Sequence, residues 1–304
     1  MKTTKLTLAV ASMFLATAMF VACKKNSNST TAVDSDTSGA GDNTMAESTS
    51  NDVVNIAGQV SENGSLSSYR LGDQENMLTT CASVTTNTTT QTFTVTFSGH
   101  ACLDGHTRTG SLMYDYHTST SNAIWFRIPG WACTVSSSNY VVDGNAITVN
   151  KTISNSTATT FTPTATNLTW AISGTITVVK PNNGGTINWV CNRTKTLLNT
   201  SDTAVYHGYS LPISWNKAKL GITGSASGTD SKGENFNATI TSQLVLDMTC
   251  SPDVNNVGHH PFIQGGIDFT PGTKATRHID FGSGTCDLNY TVTINGNTYN
   301  LTMP

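Results

Sequence analysis

The sequence predicts an all-β protein, an antiparallel β-meander closed as a sandwich or open barrel, and leaves open whether it consists of two related halves. Three observations support this prediction. Apolar and polar residues alternate from Val53 onward, turn dipeptides separate the alternating runs, and no later window combines helical periodicity with helix caps. Only 12 % of the residues are charged, against about a quarter in typical soluble proteins.

The composition also excludes two classes of protein. A nucleic-acid-binding domain normally carries a basic excess, whereas this chain of 304 residues has a formal net charge of −3. The hydrophobic content of 37 % is enough to form a core, which excludes a wholly disordered chain.

The N-terminus, residues 1–22, has the pattern of a lipoprotein signal peptide. Lys2 and Lys5 precede an apolar run from Leu6 to Ala22, and Cys23 follows it. This pattern predicts cleavage before Cys23 and lipid attachment to its thiol, which would anchor the chain to a membrane. An ordinary signal peptide that contains a cysteine remains an alternative, because Phe20 stands where such a site commonly has leucine.

Residues 23–52 are predicted to form a flexible tether. They are rich in Ser, Thr, Asn, Gly and Asp, and such a composition buries too little apolar surface to offset the entropy lost on ordering. The segment that begins at Asp34 resembles the start of a calcium loop, but Met45 stands where the loop needs a bidentate glutamate. The all-β domain is expected to comprise residues 53–304.

Period-two alternation predicts half-buried strands in several runs. The clearest apolar sets, each sharing one parity, are Leu168, Trp170, Ile172, Ile176 and Val178; Phe236, Ala238, Ile240, Leu244, Leu246 and Met248; and Leu288, Tyr290, Val292 and Ile294. Asn295-Gly296 is a strong hairpin signal, so we expect a C-terminal β-hairpin.

Two segments are weakly similar to each other. Phe93 to Cys102 aligns with Arg277 to Cys286, and in both a strand ends at a phenylalanine followed five residues later by a cysteine. Two related halves would explain this similarity, and so would chance similarity among hairpins rich in Thr and Gly.

The six cysteines after Cys23 predict disulfides, because the compartment outside the inner membrane is oxidising. Position along the strands favours the pairs Cys81 with Cys102 and Cys250 with Cys286. The two others, Cys133 and Cys191, could form a bridge inside the core or remain as buried thiols. No closely spaced cysteine pair of the zinc-binding type occurs, so we predict no metal site.

The sequence contains no nucleotide-binding, serine-hydrolase or zinc-protease motif, and we predict no catalytic residue and no cofactor. His259-His260, together with His278 and Asp280, could supply metal ligands or a general base, but exposed histidines in loops and strands often have neither role. The segment from Asp104 to Gly110 is expected to form a turn in which Arg108 bonds to a nearby carboxylate or carbonyl group.

Several motifs occur between residue 80 and the C-terminus: Cys81-Ala82-Ser83-Val84-Thr85, Gly99 to Cys102, Asp104 to Gly110, Ile222 to Gly228, Asp280 to Asp287, and Val292 to Gly296. With these motifs the chain resembles an uncharacterised family of cell-envelope lipoproteins of Bacteroidota-type bacteria. Phe97-Ser98-Gly99 departs from the Asp-Phe-Gly pattern that is present at Asp280. The resemblance implies no activity, but it makes Thr203, in Asp202-Thr203-Ala204, a candidate for O-glycosylation.

These observations favour a lipid-anchored, non-catalytic protein with a structural or binding role in the cell envelope, its ligand left open. One alternative is a glycan-binding or adhesive module that uses an exposed Trp125, Trp131 or Tyr140. The others are a hydrolase that uses carboxylates such as Asp115, Asp247 or Asp280, and a lipid carrier with an open apolar groove.

The expected partners are a membrane, bound through the N-terminal lipid, and an envelope glycan or protein. The sequence leaves the oligomeric state open. The expected location is the outer membrane, with the periplasmic side slightly favoured over the cell surface, because no acidic cluster follows Cys23.

Overall fold

The structure is a computed structural model that describes residues 34–63, 78, 81–119, 126–157, 168–199, 204–206, 209–211, 217–253 and 259–303. Its elements are one helix, α1 (Ser38–Asn63), and the strands β1 (Ala82–Asn87), β2 (Thr92–Ala101), β3 (Thr107–Asp115), β4 (Ala132–Val142), β5 (Asn145–Asn155), β6 (Thr169–Val179), β7 (Thr186–Leu197), β8 (Ala204–Tyr206), β9 (Tyr209–Leu211), β10 (Lys219–Thr229), β11 (Asn235–Asp247), β12 (Phe262–Pro271), β13 (Arg277–Ser283), β14 (Asn289–Ile294) and β15 (Asn297–Thr302).

Thirteen of these strands form a single sheet. Apart from the small β8–β9 hairpin, which is separate, each strand pairs with its neighbours in chain order, from β1 to β15. The pairing is antiparallel throughout, and within the described residues β1 and β15 do not pair with each other, so the sheet is open. The predicted all-β meander is therefore confirmed, while the duplication into two halves stays a prediction.

The alternation in the sequence matches the two faces of the sheet. In β6, Trp170, Ile172, Ile176 and Val178 are buried, whereas Ala171, Ser173 and Thr175 are exposed. The C-terminal hairpin is also confirmed: β14 and β15 pair, and Asn295 and Gly296 between them have φ values of 50° and 81°. These positive values are typical of the two-residue turns that the dipeptide predicts.

Helix α1 lies against the inner face of the sheet. It has 26 residues, and none from Ser38 to Ser61 is exposed. Its second half contributes apolar side chains to the core, and its first half hydrogen-bonds with the strands, as when the indole nitrogen of Trp189 donates to Asn43 Oδ1 at 3.1 Å. Because Tyr114 in β3 also donates its hydroxyl to the carbonyl of Val53, strands far apart in the sheet contact the same helix.

The prediction of a flexible tether is therefore wrong from Ser38 to Asp52. The expectation that the all-β domain starts at Val53 is also wrong, because residues 53–63 belong to α1; Ser35–Pro304 forms one compact unit. The composition argument failed because the polar residues of α1 do not need apolar partners. Several of them, such as Glu47 with Arg193 and Asn51 with Lys195, pair with charged side chains on the inner face of the sheet, which satisfies those groups in the interior.

Buried cationic side chains on the sheet help to explain why a polar helix is stable there. Arg108, Arg193 and Lys195 each bond to side chains of α1. Six cationic side chains in all are at most 2 % exposed: Arg108, Arg127, Lys151, Arg193, Lys195 and Arg277. Lys195, for example, donates to Asn51 Oδ1 at 3.1 Å and Asn55 Oδ1 at 2.7 Å. A buried cation is costly unless it is paired and hydrogen-bonded, so the strands and the helix satisfy each other.

Two disulfides join chain segments at the ends of strands. Cys81 pairs with Cys102, and Cys250 pairs with Cys286, which are the two pairs that the sequence favoured. Cys133 and Cys191 are buried free thiols. Of the two states that the sequence left open for this pair, the structure thus has the unbridged one.

Within the described part of the chain, no helix has the length and apolar character that crossing a membrane requires.

Candidate functional site

A cavity of about 110 Å³ lies between α1 and the sheet. Its polar lining includes Asp52, Asp104, His106, Arg108, Asp143 and His259, and its apolar lining includes Val142, Ile147, Val178, Leu246, Phe262 and Met303. The lining comes from the helix, from the turn before β3, from the β4–β5 hairpin and from the segment that leads into β12. Only the folded chain brings these segments together.

Arg108 is the centre of the polar wall. Its Nη1 donates to Asp104 Oδ1 at 2.9 Å, and its Nη2 donates to Asp104 Oδ2 at 2.6 Å and to Asp52 Oδ2 at 2.9 Å. The side chain of Arg108 is fully buried. The sequence predicted a bond from Arg108 to a nearby carboxylate or carbonyl group, and the structure shows bonds to two carboxylates, one of which connects the sheet to the helix.

The same environment shifts the pKa of the groups around Arg108. Burial raises the pKa of Asp52, and the nearby charge of Asp104 raises it further, while Arg108 acts in the opposite direction. Burial by itself would lower the pKa of the Arg108 guanidinium. The neighbouring carboxylates of Asp52 and Asp104 outweigh burial and raise this pKa. Asp52 therefore keeps its proton to a higher pH than an exposed aspartate does.

Two histidines face each other at the cavity. His106 Nδ1 lies 2.6 Å from Asp143 Oδ2, and the ring of His106 lies 5.4 Å from that of His259, in an edge-to-face arrangement. Burial lowers the pKa of His259, and the charge of His106 lowers it further. His259 is therefore neutral at pH 7, with one ring nitrogen that donates and one that accepts.

The predicted histidine cluster is only partly brought together. His259 and His260 both line the cavity, and His260 Nδ1 lies 2.6 Å from the carbonyl oxygen of Cys250. His278 instead pairs with Asp268 at 2.7 Å on the exposed face, and Asp280 accepts a bond from the backbone nitrogen of Gly282 at 2.8 Å. Across the described residues, no group of three His, Cys, Asp or Glu side chains has the arrangement of a metal site.

The carboxylates considered for hydrolysis lie apart from the cavity. Asp115 pairs with His117, and Asp247 accepts a bond from the hydroxyl of Thr249 at 2.6 Å and pairs with Lys219 at 3.0 Å. Neither of these aspartates lines the cavity, and Asp280 does not line it either.

Two of the three aromatic candidates for surface binding are buried. Trp131 and Tyr140 are each 1 % exposed, so neither offers a ring to a ligand in solvent. Trp125 lies outside the described residues, as do the lipidation candidate Cys23 and the glycosylation candidate Thr203.

Sequence reasoning missed Asp52 and His106 as members of a site. Asp52 was assigned to the tether, and His106 lay in a segment expected to be a simple turn. One signal could have indicated the helix: in β7, Arg193 and Lys195 share the parity of Trp189 and Leu197, which places their charges on the buried face. Buried cations require buried partners, so an acidic or amide-rich segment had to lie inside the sheet.

No protein-family model matches the chain, and no curated protein or solved structure is significantly similar to it.

Proposed function

We propose that the chain is a lipid-anchored, non-catalytic protein of the bacterial cell envelope that binds a sugar unit of an envelope glycan in the cavity between α1 and the sheet. The lipid anchor on Cys23 and the outer-membrane location are the sequence-based part of this proposal. The observation that carries the binding role is the composition of the cavity, which is lined both by carboxylates and histidines and by apolar side chains.

This composition suits a sugar ring. Hydroxyl groups donate to carboxylates and exchange hydrogen bonds with neutral imidazoles, whereas the C–H faces of the ring pack on apolar side chains. In the cavity, Phe262, Ile147 and Met303 supply apolar surface, and Asp52 and His259 supply the polar groups.

Asp52 and His259 also have unused hydrogen-bonding capacity. Only the Oδ2 atom of Asp52 bonds to Arg108, and within the described part of the chain Oδ1 has no hydrogen-bond partner. No ring nitrogen of His259 bonds to another described residue either, although its ring contacts His106. These atoms are available to a ligand without loss of an existing bond.

The size of the cavity limits what it accepts. A cavity of about 150 Å³ holds a benzene molecule, and this cavity measures about 110 Å³. We therefore expect it to receive part of one sugar unit at the end of a glycan, while the rest of the glycan stays in solvent.

The experiment is a binding titration by isothermal calorimetry, with the full chain in detergent and soluble peptidoglycan fragments as the probe. We expect the variant Asp52→Asn to bind at least about tenfold more weakly, since one lost charged hydrogen bond is worth about 1.5–3 kcal/mol. The matched control is Asp280→Asn, an exposed aspartate outside the cavity, which should bind like the unchanged chain. Absence of binding, or equal weakening in both variants, would refute the proposal.

A second candidate function, hydrolysis of the bound glycan, is favoured by one observation. Asp52 and Asp104 both bond to Nη2 of Arg108, and burial raises the pKa of Asp52, as a general acid requires. Mass spectrometry of the same fragments after incubation distinguishes the two functions. Shortened fragments that appear with the unchanged chain and not with Asp52→Asn would show an enzyme, and intact fragments support the non-catalytic role.

The lipid-carrier alternative has less support. Such a carrier needs an open apolar groove, and in the described residues the inner face of the sheet packs on α1, whose residues from Ser38 to Ser61 include none that is exposed.

A further inference from the structure

Three residues on neighbouring strands form one row across the inner face of the sheet. Lys151 in β5 is opposite Gly174 in β6, and Gly174 is opposite Cys191 in β7. Because Gly174 has no side chain, the lysine side chain can cross the middle strand. Its Nζ atom comes within 3.1 Å of the Cys191 sulfur.

The surroundings of Lys151 are unusual for a buried amine. Lys151 is 1 % exposed, and its Nζ lies 5.1 Å from the centre of the Trp189 ring. The carboxylate of Glu47 in α1 is bonded to Arg193. Buried amines normally pair with carboxylates, but within the described residues the hydrogen-bond partner of Lys151 is a thiol.

We propose that Lys151 and Cys191 form a covalent sulfur–nitrogen cross-link, a sulfenamide, when hydrogen peroxide oxidises Cys191. Peroxide takes two electrons from the Cys191 sulfur, which becomes a sulfenic acid, and one water molecule is released. The Lys151 ammonium gives one proton to the sulfenic oxygen, and the lone pair freed on Nζ attacks the sulfur. The S–N bond forms as the S–O bond breaks, the oxygen departs as a second water molecule, and the nitrogen releases one further proton to solvent.

The geometry favours the second step. Reacting atoms held about 3–3.5 Å apart are already at the distance from which bonds form, and the sulfur and nitrogen here are 3.1 Å apart. Both side chains are confined by the core, so the amine meets the sulfenic acid before a thiol from another molecule can. Cys191 is also 4 % exposed, so a small part of the residue contacts solvent.

The second free thiol, Cys133, is an internal control. Burial raises the pKa of both thiols, but Lys151 counteracts the shift at Cys191, whereas Asp115 adds to it at Cys133. Cys133 is also fully buried. The structure thus predicts cross-linking at one thiol and little reaction at the other.

The experiment treats the full chain in detergent with hydrogen peroxide, blocks the remaining thiols by alkylation after unfolding, and maps the digested peptides by mass spectrometry. We expect a peptide pair joined through Lys151 and Cys191, lighter by two hydrogens than its two parts, that dithiothreitol separates. Cys133 should be recovered in its alkylated form. This result comes from the unchanged chain, so it does not depend on whether a variant folds.

Two variants add a matched comparison. Lys151→Arg keeps the charge but lacks the amine, and we expect it to lose the joined peptides completely. Cys133→Ser should retain them. The inference is overturned if Cys191 proceeds to sulfinic acid without a joined peptide, if it stays reduced, or if Cys133 is oxidised at the same rate.

Discussion

The guanidinium of Arg193 in β7 binds the carboxylate of Glu47 in α1 through two nitrogens. Nη2 donates to Oε2 at 2.6 Å, and Nε lies 3.1 Å from Oε1 and 3.2 Å from Oε2. Both side chains are at most 2 % exposed. This bidentate pair connects helix and sheet at the centre of the structure, where each charge depends on the other for solvation.

Removal of the charge on Glu47 should therefore destabilise the protein strongly. We expect Glu47→Gln to lower the free energy of unfolding by about 3–5 kcal/mol, because Arg193 is then a buried cation without a counter-charge. Urea unfolding followed by tryptophan fluorescence measures this, because Trp189 lies beside Arg193, with the guanidinium 5.6 Å from the ring centre.

An exposed ion pair gives the matched control. Glu234 pairs with Lys274 at the surface, where their side chains are 34 % and 40 % exposed. Glu234→Gln should change the free energy of unfolding by less than about 1 kcal/mol. Equal effects of the two substitutions would contradict a central role of the Glu47–Arg193 pair.

Gly174 should not tolerate a side chain. Its φ is +126°, and a Cβ atom there would lie 2.3 Å from the carbonyl oxygen of Asn150 and 2.7 Å from Lys151 Cα. We expect Gly174→Ala to lower the free energy of unfolding by about 3 kcal/mol or more, from backbone strain and overpacking together. The measurement is urea unfolding.

Gly296 in the last hairpin separates these two causes. Its φ is +81°, but among the described residues other than its chain neighbours no atom lies within 4 Å of the position of a Cβ. Gly296→Ala should therefore cost only the strain of the backbone, about 1 kcal/mol. If Gly174→Ala were no more harmful than Gly296→Ala, the close approach of β5 and β6 at Gly174 would be refuted.

The disulfide between Cys250 and Cys286 should stabilise the chain by restricting its unfolded state. The two cysteines are 36 residues apart, and the chain-entropy model gives about 3–4 kcal/mol for a loop of this length. Without reductant, the free energy of urea unfolding of the double variant Cys250→Ser/Cys286→Ser should be lower by that amount. In the presence of dithiothreitol, the free energies of unfolding of the variant and of the original chain should differ less. If that difference stayed the same, it would argue against the disulfide.

His259 should make the protein less stable in acid. Burial and the charges of His106, His260 and Arg108 lower its pKa in the folded state, and Asp104 acts the other way. The unfolded chain binds the proton more readily, so stability is lost as the pH falls through the unperturbed value of 6.5. Thermal unfolding between pH 8 and pH 5 measures this loss, and His259→Gln should reduce it.

His100 is the control for this prediction, because it is an exposed histidine on β2. His100→Gln should keep the pH dependence of the unchanged chain. If His259→Gln loses stability in acid as steeply as His100→Gln does, another group is responsible for the acid sensitivity.

Lipid attachment at Cys23 can be tested directly in cells. We expect the unchanged chain to incorporate a labelled fatty acid and to sediment with membranes, and Cys23→Ala to do neither, since acyl chains provide the anchoring free energy. Membrane fractionation after acyl labelling provides the measurement. Continued sedimentation of Cys23→Ala with the membranes would rule out a lipid anchor at this position.

The tertiary structure decided which of the predicted site residues lie together. Asp104 and Arg108 are four residues apart, so their contact fits the sequence prediction that Arg108 bonds to a nearby carboxylate or carbonyl group. Asp52 is 56 residues from Arg108, and its role depends on how the helix lies in the sheet. The same holds for Glu47 and Arg193, which are 146 residues apart.

The sequence by itself predicted the strands with the clearest alternation and the C-terminal hairpin, and it favoured the two disulfide pairs. These features follow local rules, since side chains alternate every two residues along a strand and an Asn-Gly turn sets the pairing of its neighbours. Helix α1, the cavity and the contact of Lys151 with Cys191 were decided only by the tertiary structure. A polar segment forms a buried helix when distant strands provide hydrogen-bond partners for it. The composition of the segment does not show whether those partners exist.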